Sequence, residues 1–351
     1  MIIYDRFVVG KTRNRLARRH FASLGLVGML LASWPALALT AGSQAGPATA
    51  AATASVRLFV PFNAGGEADG SARNFLRSAA RFSGGQAIET IYLTAESGAA
   101  ASRAVKGAAP DGQTLLLARV GSAVILPALS PRTAVPVSDF TVLAVLDQAP
   151  LICAVRTGTP IASVRELIAA IAATPGKMRY STSGAGTIQN LAVRYLLSLN
   201  GLPDDAAKPL HFSQGSQATQ ALLDGEVEFT CNNARSIIPA VQSGALRGLM
   251  TTALGRLRQL PQLQNAAELG LRDMQQLQGW SALLGPAGMR PEVVARWRTL
   301  LEHVAADPEW QAGTEALGAV PRIRSIKDPT QYLRQQAQFY ERLVTLLGAS
   351  P

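Results

Sequence analysis

Cysteine and histidine are almost missing from this 351-residue chain. Its two cysteines are Cys153 and Cys231, no Cys-x-x-Cys pair occurs, and His20, His211 and His303 stand apart. These spacings exclude a structural zinc site and offer no recognisable acid–base pair. Lysine is scarce too, at five of 33 basic residues, and the arginines are scattered, which argues against a nucleic-acid face. The formal charge of +10 falls to 27 basic against 22 acidic residues once residues 1–41 are set aside. No Walker A sequence is present. In Ser181-Thr182-Ser183-Gly184-Ala185-Gly186 the third glycine of a dinucleotide fingerprint is replaced by Gln189. No run beyond the N-terminal region is apolar enough to span a bilayer, which takes about 20 residues. The full chain is 48% hydrophobic and 16% charged, too apolar for disorder. At about 150 residues per domain, the length fits two domains.

The N-terminus has the order of a secretory signal: basic Lys11 to His20, apolar Phe21 to Ser33, then Trp34-Pro35 and small residues Ala36-Leu37-Ala38. Residues 1–41 are therefore expected to be a signal peptide and the protein periplasmic. Arg18-Arg19 resembles a twin-arginine pair. Residues 42–55, rich in Ala, Gly, Ser and Thr, read as a flexible spacer.

From Val56 onward, short apolar runs alternate with helical patterns, predicting a parallel α/β architecture. Strands are expected at Val56–Phe62, Glu89–Thr94, Thr114–Ala118, Leu151–Val155, Met178–Ser181, Leu210–Phe212, Val227–Cys231 and Leu246–Thr251. Helices are expected from the Ser163-to-Glu166 capping box, from Thr187 to Asn200-Gly201, from Pro291, and from Asp328 to about Leu347. Both cysteines lie in strand-like apolar runs, where buried free thiols are the expected state.

Two glycine-rich strand-to-helix loops carry the chemistry. One is Val60-Pro61-Phe62-Asn63-Ala64-Gly65-Gly66-Glu67-Ala68-Asp69; the other is Ser181-Thr182-Ser183-Gly184-Ala185-Gly186-Thr187. Glycine permits a sharp turn and close approach, and the following helix N-terminus offers unpaired N–H groups to an anion. In open α/β sheets, ligands sit beyond the carboxyl ends of strands. Two such loops would form the halves of a small-anion clamp. A hydrolase using Ser183 is the enzymatic rival, but the nucleophile elbow needs glycine where Ser181 stands.

In these motifs the chain resembles the periplasmic solute receptors of tripartite tricarboxylate transporters, the Bug-type family. The resemblance is carried in order by Val60-Pro61-Phe62-Asn63-Ala64-Gly65-Gly66 with Asp69 and Arg73, and by Ala109-Pro110-Asp111-Gly112-Gln113-Thr114. Pro175-Gly176-Lys177 with Tyr180, Leu222-Leu223-Asp224-Gly225-Glu226-Val227, Ser243-Gly244-Ala245-Leu246-Arg247 and Glu268-Leu269-Gly270-Leu271 complete it. It implies a type II periplasmic-binding-protein fold, with two α/β lobes and a ligand cleft between them. It implies no enzymatic activity and no cofactor or metal. The implied partners are a mono-, di- or tricarboxylate and a tripartite-type membrane permease, with the receptor a monomer; a sensor subunit for a signalling partner is the other binding role. Ligand contacts carried over by position are Phe62, Asn63, Ala64, Gly65, Gly66, Asp69, Gly121, Ser122, Ser181, Ser183, Gly184, Gly186, Thr187 and Asn232. The chain departs from the family pattern at Asn63, Glu67-Ala68, Ala95-Glu96-Ser97, Ser213-Gln214 and Cys231-Asn232. Residues 56–154 with 252–351 are expected to form lobe 1 and residues 155–251 lobe 2, with hinges near Val155 and Thr251–Thr252.

Overall fold

The structure is a computed structural model that describes residues 55–349. The signal peptide expected at 1–41 and the spacer expected at 42–55, apart from Ser55, lie outside the described residues. In chain order the elements are β1 (Val56–Val60), α1 (Glu67–Phe82), β2 (Ile88–Tyr92), α2 (Ala99–Lys106), β3 (Thr114–Arg119), α3 (Leu126–Leu129) and β4 (Phe140–Arg156). Next come α4 (Val164–Ala173), β5 (Arg179–Thr182), α5 (Ile188–Leu199), β6 (Lys208–His211), α6 (Gly215–Asp224), β7 (Phe229–Asn233), α7 (Ala234–Gln242) and β8 (Leu246–Thr251). The chain closes with β9 (Gln278–Pro286), α8 (Pro291–Ala306), α9 (Pro308–Ala316), β10 (Val320–Pro321) and α10 (Pro329–Leu346).

The strands form one continuous sheet in the order β2-β1-β3-β9-β4-β7-β5-β6, with β8 and β10 also paired to β4. β1 runs parallel to β2 and β3, and β5 parallel to β6 and β7. The two parallel groups are joined by antiparallel strands: β9 pairs with β3 and β4, and β4 with β7 and β8. The all-parallel expectation is therefore corrected. β4 and β9 are buried along almost their whole length, so they lack the alternation that marks a half-exposed strand. Pro150 further disguises β4; it stands where that strand exchanges β9 for β7 and β8.

β4 is also the crossing between the lobes. It pairs with β9 up to Pro150 and with β7 from Leu151, so the exchange comes before the expected hinge at Val155. Thr252 closes the return: its N–H donates to the Leu151 carbonyl, its hydroxyl to the Leu277 carbonyl, and it accepts from the Leu151 N–H. The segment after Thr252 runs against α6 and α7 before it reaches β9. Ala253, Leu257 and Leu263 pack with Leu222, Val227 and Ile237 of lobe 2, because the apolar faces of α6 and α7 need covering there. The chain re-enters the lobe-1 half at β9.

In lobe 1, α1, α8 and α9 cover one sheet face through Phe75, Trp297, Leu301 and Trp310. A larger core on the other side joins Phe59 and Leu116 of lobe 1 to Leu191 and Leu196 of lobe 2, with Phe339 and Leu343 of α10. Cys153 and Cys231 sit opposite each other in the β4/β7 ladder and form a disulfide, correcting the free-thiol expectation. That cross-strand register joins residues 78 apart in sequence and was not visible in either apolar run.

Candidate ligand-binding site

The first glycine loop leaves the carboxyl end of β1 and enters α1. Phe62, Asn63, Ala64 and Gly65 are exposed there. Gly65 has φ +82°, a left-handed conformation that a β-carbon would strain. Its N–H donates to Asp69 Oδ2 at 2.8 Å, so Asp69 reaches back to hold the loop from beneath. Arg73 Nε donates to both Asp69 oxygens at 2.9 Å, and the Tyr92 hydroxyl donates to Oδ1. Asp69 is only 3% exposed. Burial works to raise its pKa, but the Tyr92, Gly65 and Arg73 hydrogen bonds prevail and hold it below the usual carboxylate value. Loop 1 packs on the turns beside it: a β-carbon on Gly98 would stand 2.6 Å from Pro61 Cβ and 3.2 Å from Ser122 Cβ.

The second loop leaves β5 and enters α5, held by neutral groups. Thr182 Oγ1 accepts from the Gly184 N–H at 2.9 Å. The Thr187 hydroxyl donates to the Gly184 carbonyl at 2.7 Å and also caps α5 at the Asn190 N–H. Buried Asn190 donates to the Ala185 carbonyl at 2.7 Å and accepts from the Tyr180 hydroxyl at 2.9 Å. Ser183, Gly184, Ala185 and Gly186 face outward, partly or fully exposed. Gly186 lies against lobe 1, where an added β-carbon would come 3.1 Å from Leu129 Cδ1.

Between the lobes runs a seam of buried and partly buried polar side chains. Glu67, in the first turn of α1, accepts from Asn233 Nδ2 of β7 at 2.6 Å and from Arg119 Nη2 at 3.4 Å. Arg119 Nη1 donates to Ser281 Oγ at 2.7 Å. Asp147 accepts from the Ser281 and Ser71 hydroxyls at 3.0 and 3.2 Å. Burial pushes the Asp147 carboxyl up, against the opposing charge of Arg119.

These positions sort the residues carried over by resemblance. Asn63, Ala64, Gly66, Ser183, Gly184 and Gly186 line the two loops; Phe62 lies against Gly121, whose added β-carbon would be 3.7 Å from the ring. Asp69, Ser122, Ser181, Thr187 and Asn232 stand behind the loops or brace them. Ser181, fully buried, donates to the Ala218 carbonyl at 2.6 Å. Asn232, also fully buried, donates to the Gly215 carbonyl at 2.7 Å and to Thr219 Oγ1 at 3.0 Å. The Ser122 hydroxyl donates to the Arg119 carbonyl at 3.3 Å. Sequence reasoning missed Arg119, Asp147 and Asn233 as members of the seam. A charged residue ending the fully buried strand Thr114-Leu115-Leu116-Leu117-Ala118-Arg119 was the available signal, and the predicted strand stopped one residue short of it.

Residues 89–348 match the signature of the tripartite tricarboxylate transporter family receptor. The chain belongs to that family. The receptor is 25% identical over 300 residues to protein BugT of Bordetella pertussis, covering 84% of this chain and 89% of BugT. Among solved structures it is similar to MatC from Rhodopseudomonas palustris with bound malate. That match has 25% identity and a TM-score of 0.70, covering 83% of this chain and 98% of the other. Rpa4515 of the same genus and species, with adipate, matches at 25% identity and a TM-score of 0.72, over 85% and 99% of the two chains. The fold is that of the periplasmic binding proteins, and the chain is a solute-binding receptor and not an enzyme. The ring of His211 lies 3.0 Å from Thr182 Oγ1, whose other partners are Gly184 backbone atoms.

Proposed function

We propose that the receptor captures a small carboxylate between its two glycine loops and delivers it, as a monomer in the periplasm, to a tripartite-type membrane permease. The observation that carries this reading is the pair of loops at the carboxyl ends of β1 and β5, each entering a helix N-terminus. Such ends present N–H groups and a partial positive charge to an anion without any dedicated arginine or lysine. Gly65 serves loop 1 by its left-handed backbone, because its own N–H is taken by Asp69. Donation to the ligand falls to neighbours such as Ala64 in loop 1 and Ser183, Ala185 or Gly186 in loop 2. The malate and adipate held by the two R. palustris proteins support the ligand class.

The test is a melting-temperature screen of small mono-, di- and tricarboxylates, with neutral amides and sugars as controls. A ligand at 100 times its dissociation constant stabilises the folded state by about 2.7 kcal/mol, a clear shift. At least one carboxylate is expected to shift the wild type. Gly65→Val, strained at positive φ, and Gly186→Val, crowded against Leu129, should lose the shift while remaining folded. A response confined to uncharged ligands would refute the carboxylate reading.

A further inference from the structure

The seam beneath the glycine loops already contains a carboxylate. Glu67 follows Gly66 directly, yet its side chain turns toward the seam, where Oε2 takes hydrogen bonds from Asn233 of lobe 2 and from Arg119. These two donors, a side-chain amide and a guanidinium, are what a ligand carboxylate would seek. Both residues are 8% exposed and held in place, Arg119 by Ser281 and Asn233 by the β4/β7 ladder. The cavity they line with Ser71, Asp147 and Arg235 is about 10 Å³, close to the room one water needs and far too small for a second carboxylate. Asp147 on the far side, reached through the Ser71 and Ser281 hydroxyls, leaves Arg119 between two acidic side chains.

We propose that Glu67 is a built-in carboxylate filling the second anion position of the cleft, so that it determines specificity for monocarboxylates over dicarboxylates of the same length. The proposal rests on the carboxylate reading above. A first carboxylate on the Ala64 N–H of loop 1 lies three residues from Glu67 along the chain. A second one directed toward lobe 2 meets the negative charge of Glu67 and finds Arg119 and Asn233 already engaged. Like charges brought together in this way suppress the wrong partner.

The test is calorimetric titration of two matched pairs, butyrate with succinate and hexanoate with adipate, into the wild type, Glu67→Ala and Glu67→Gln. Wild type should bind the monocarboxylate of the preferred pair more tightly. Glu67→Ala, which frees both donors and enlarges the cavity, should shift the ratio of dissociation constants toward the dicarboxylate by about tenfold or more. Glu67→Gln removes the charge but keeps the bulk, and should shift it less. Adding Arg119→Met to Glu67→Ala should cancel the gain, with circular dichroism confirming that the variant is folded; a gain that survives in a folded double variant would count against Arg119 as the receiving group. A ratio unchanged within about twofold in both Glu67 variants, with carboxylates still binding, overturns this proposal alone. If none of the screened carboxylates binds any variant, the carboxylate reading falls and this one with it.

Discussion

The two glycine loops occupy equivalent places, each leaving a parallel strand for a helix, but opposite kinds of chemistry hold them. Loop 1 is braced by charge: Asp69 gathers the Gly65 N–H, the Tyr92 hydroxyl and Arg73. Loop 2 is braced by hydroxyls and an amide, from Thr182, Thr187, Tyr180 and Asn190, with the His211 ring on Thr182 Oγ1, and β7, the strand paired with β5, carries one end of the disulfide. The charge on Asp69 responds to pH, whereas the Asn190 and Thr187 hydrogen bonds of loop 2 contain no carboxylate. The difference makes the two halves of one clamp separable by experiment.

Four expected outcomes would sharpen or break that contrast. The largest concerns the disulfide. Reducing Cys153–Cys231 should lower stability by about 2–5 kcal/mol, read from denaturant midpoints with and without reductant; coincident midpoints would remove the covalent half of the argument. Asn190→Ala comes next. It leaves the Ala185 carbonyl and the buried Tyr180 hydroxyl without their partner, at a cost of about 2–3 kcal/mol. The loss should be the same at pH 4 and pH 7, and a strong pH dependence would contradict a neutral brace.

Asp69→Asn should cost less, about 1–2 kcal/mol at pH 7, because Arg73 is largely exposed and its ion pair is screened by solvent. The sign follows from the lowered pKa of Asp69. Its ionised form is favoured by folding, so the contribution is complete above the unfolded value near 3.8 and fades as pH falls through the lower folded value. The melting-temperature gap between wild type and Asp69→Asn should therefore narrow on acidification below about pH 4. A gap that widens there would reverse the assignment. Thr187→Ala, losing the helix cap and the bond to the Gly184 carbonyl, should cost the least, about 1 kcal/mol at any pH. A larger loss than for Asn190→Ala would place the main support of loop 2 elsewhere.

Local signals made much of this molecule legible. The Thr187 and Asp328 caps and the Pro291 start all mark real helix starts, because capping depends on three or four neighbouring residues. Both glycine loops fall where turn chemistry put them. Non-local pairings were hidden. β9 and the first part of β4 are buried on both faces and carry no period-2 pattern, and the Cys153–Cys231 bridge depends on the register of β4 with β7. The same reason explains the site residues. The loop glycines could be read from the chain, whereas Arg119, Asp147, Asn233 and Ser281 meet only after β3, β4, β7 and β9 come together. Asp69 and Ser181 lie inside recognisable motifs, yet they face inward as braces.

The claim that both loops hold one carboxylate is tested most directly by following backbone amide resonances during titration with the tightest carboxylate from the melting screen. The account predicts that the largest shifts cluster at Ala64 and Gly66 in loop 1 and at Ser183 to Gly186 in loop 2, saturating at one common ligand concentration. Saturating shifts confined to one loop, or lying outside both, would contradict it.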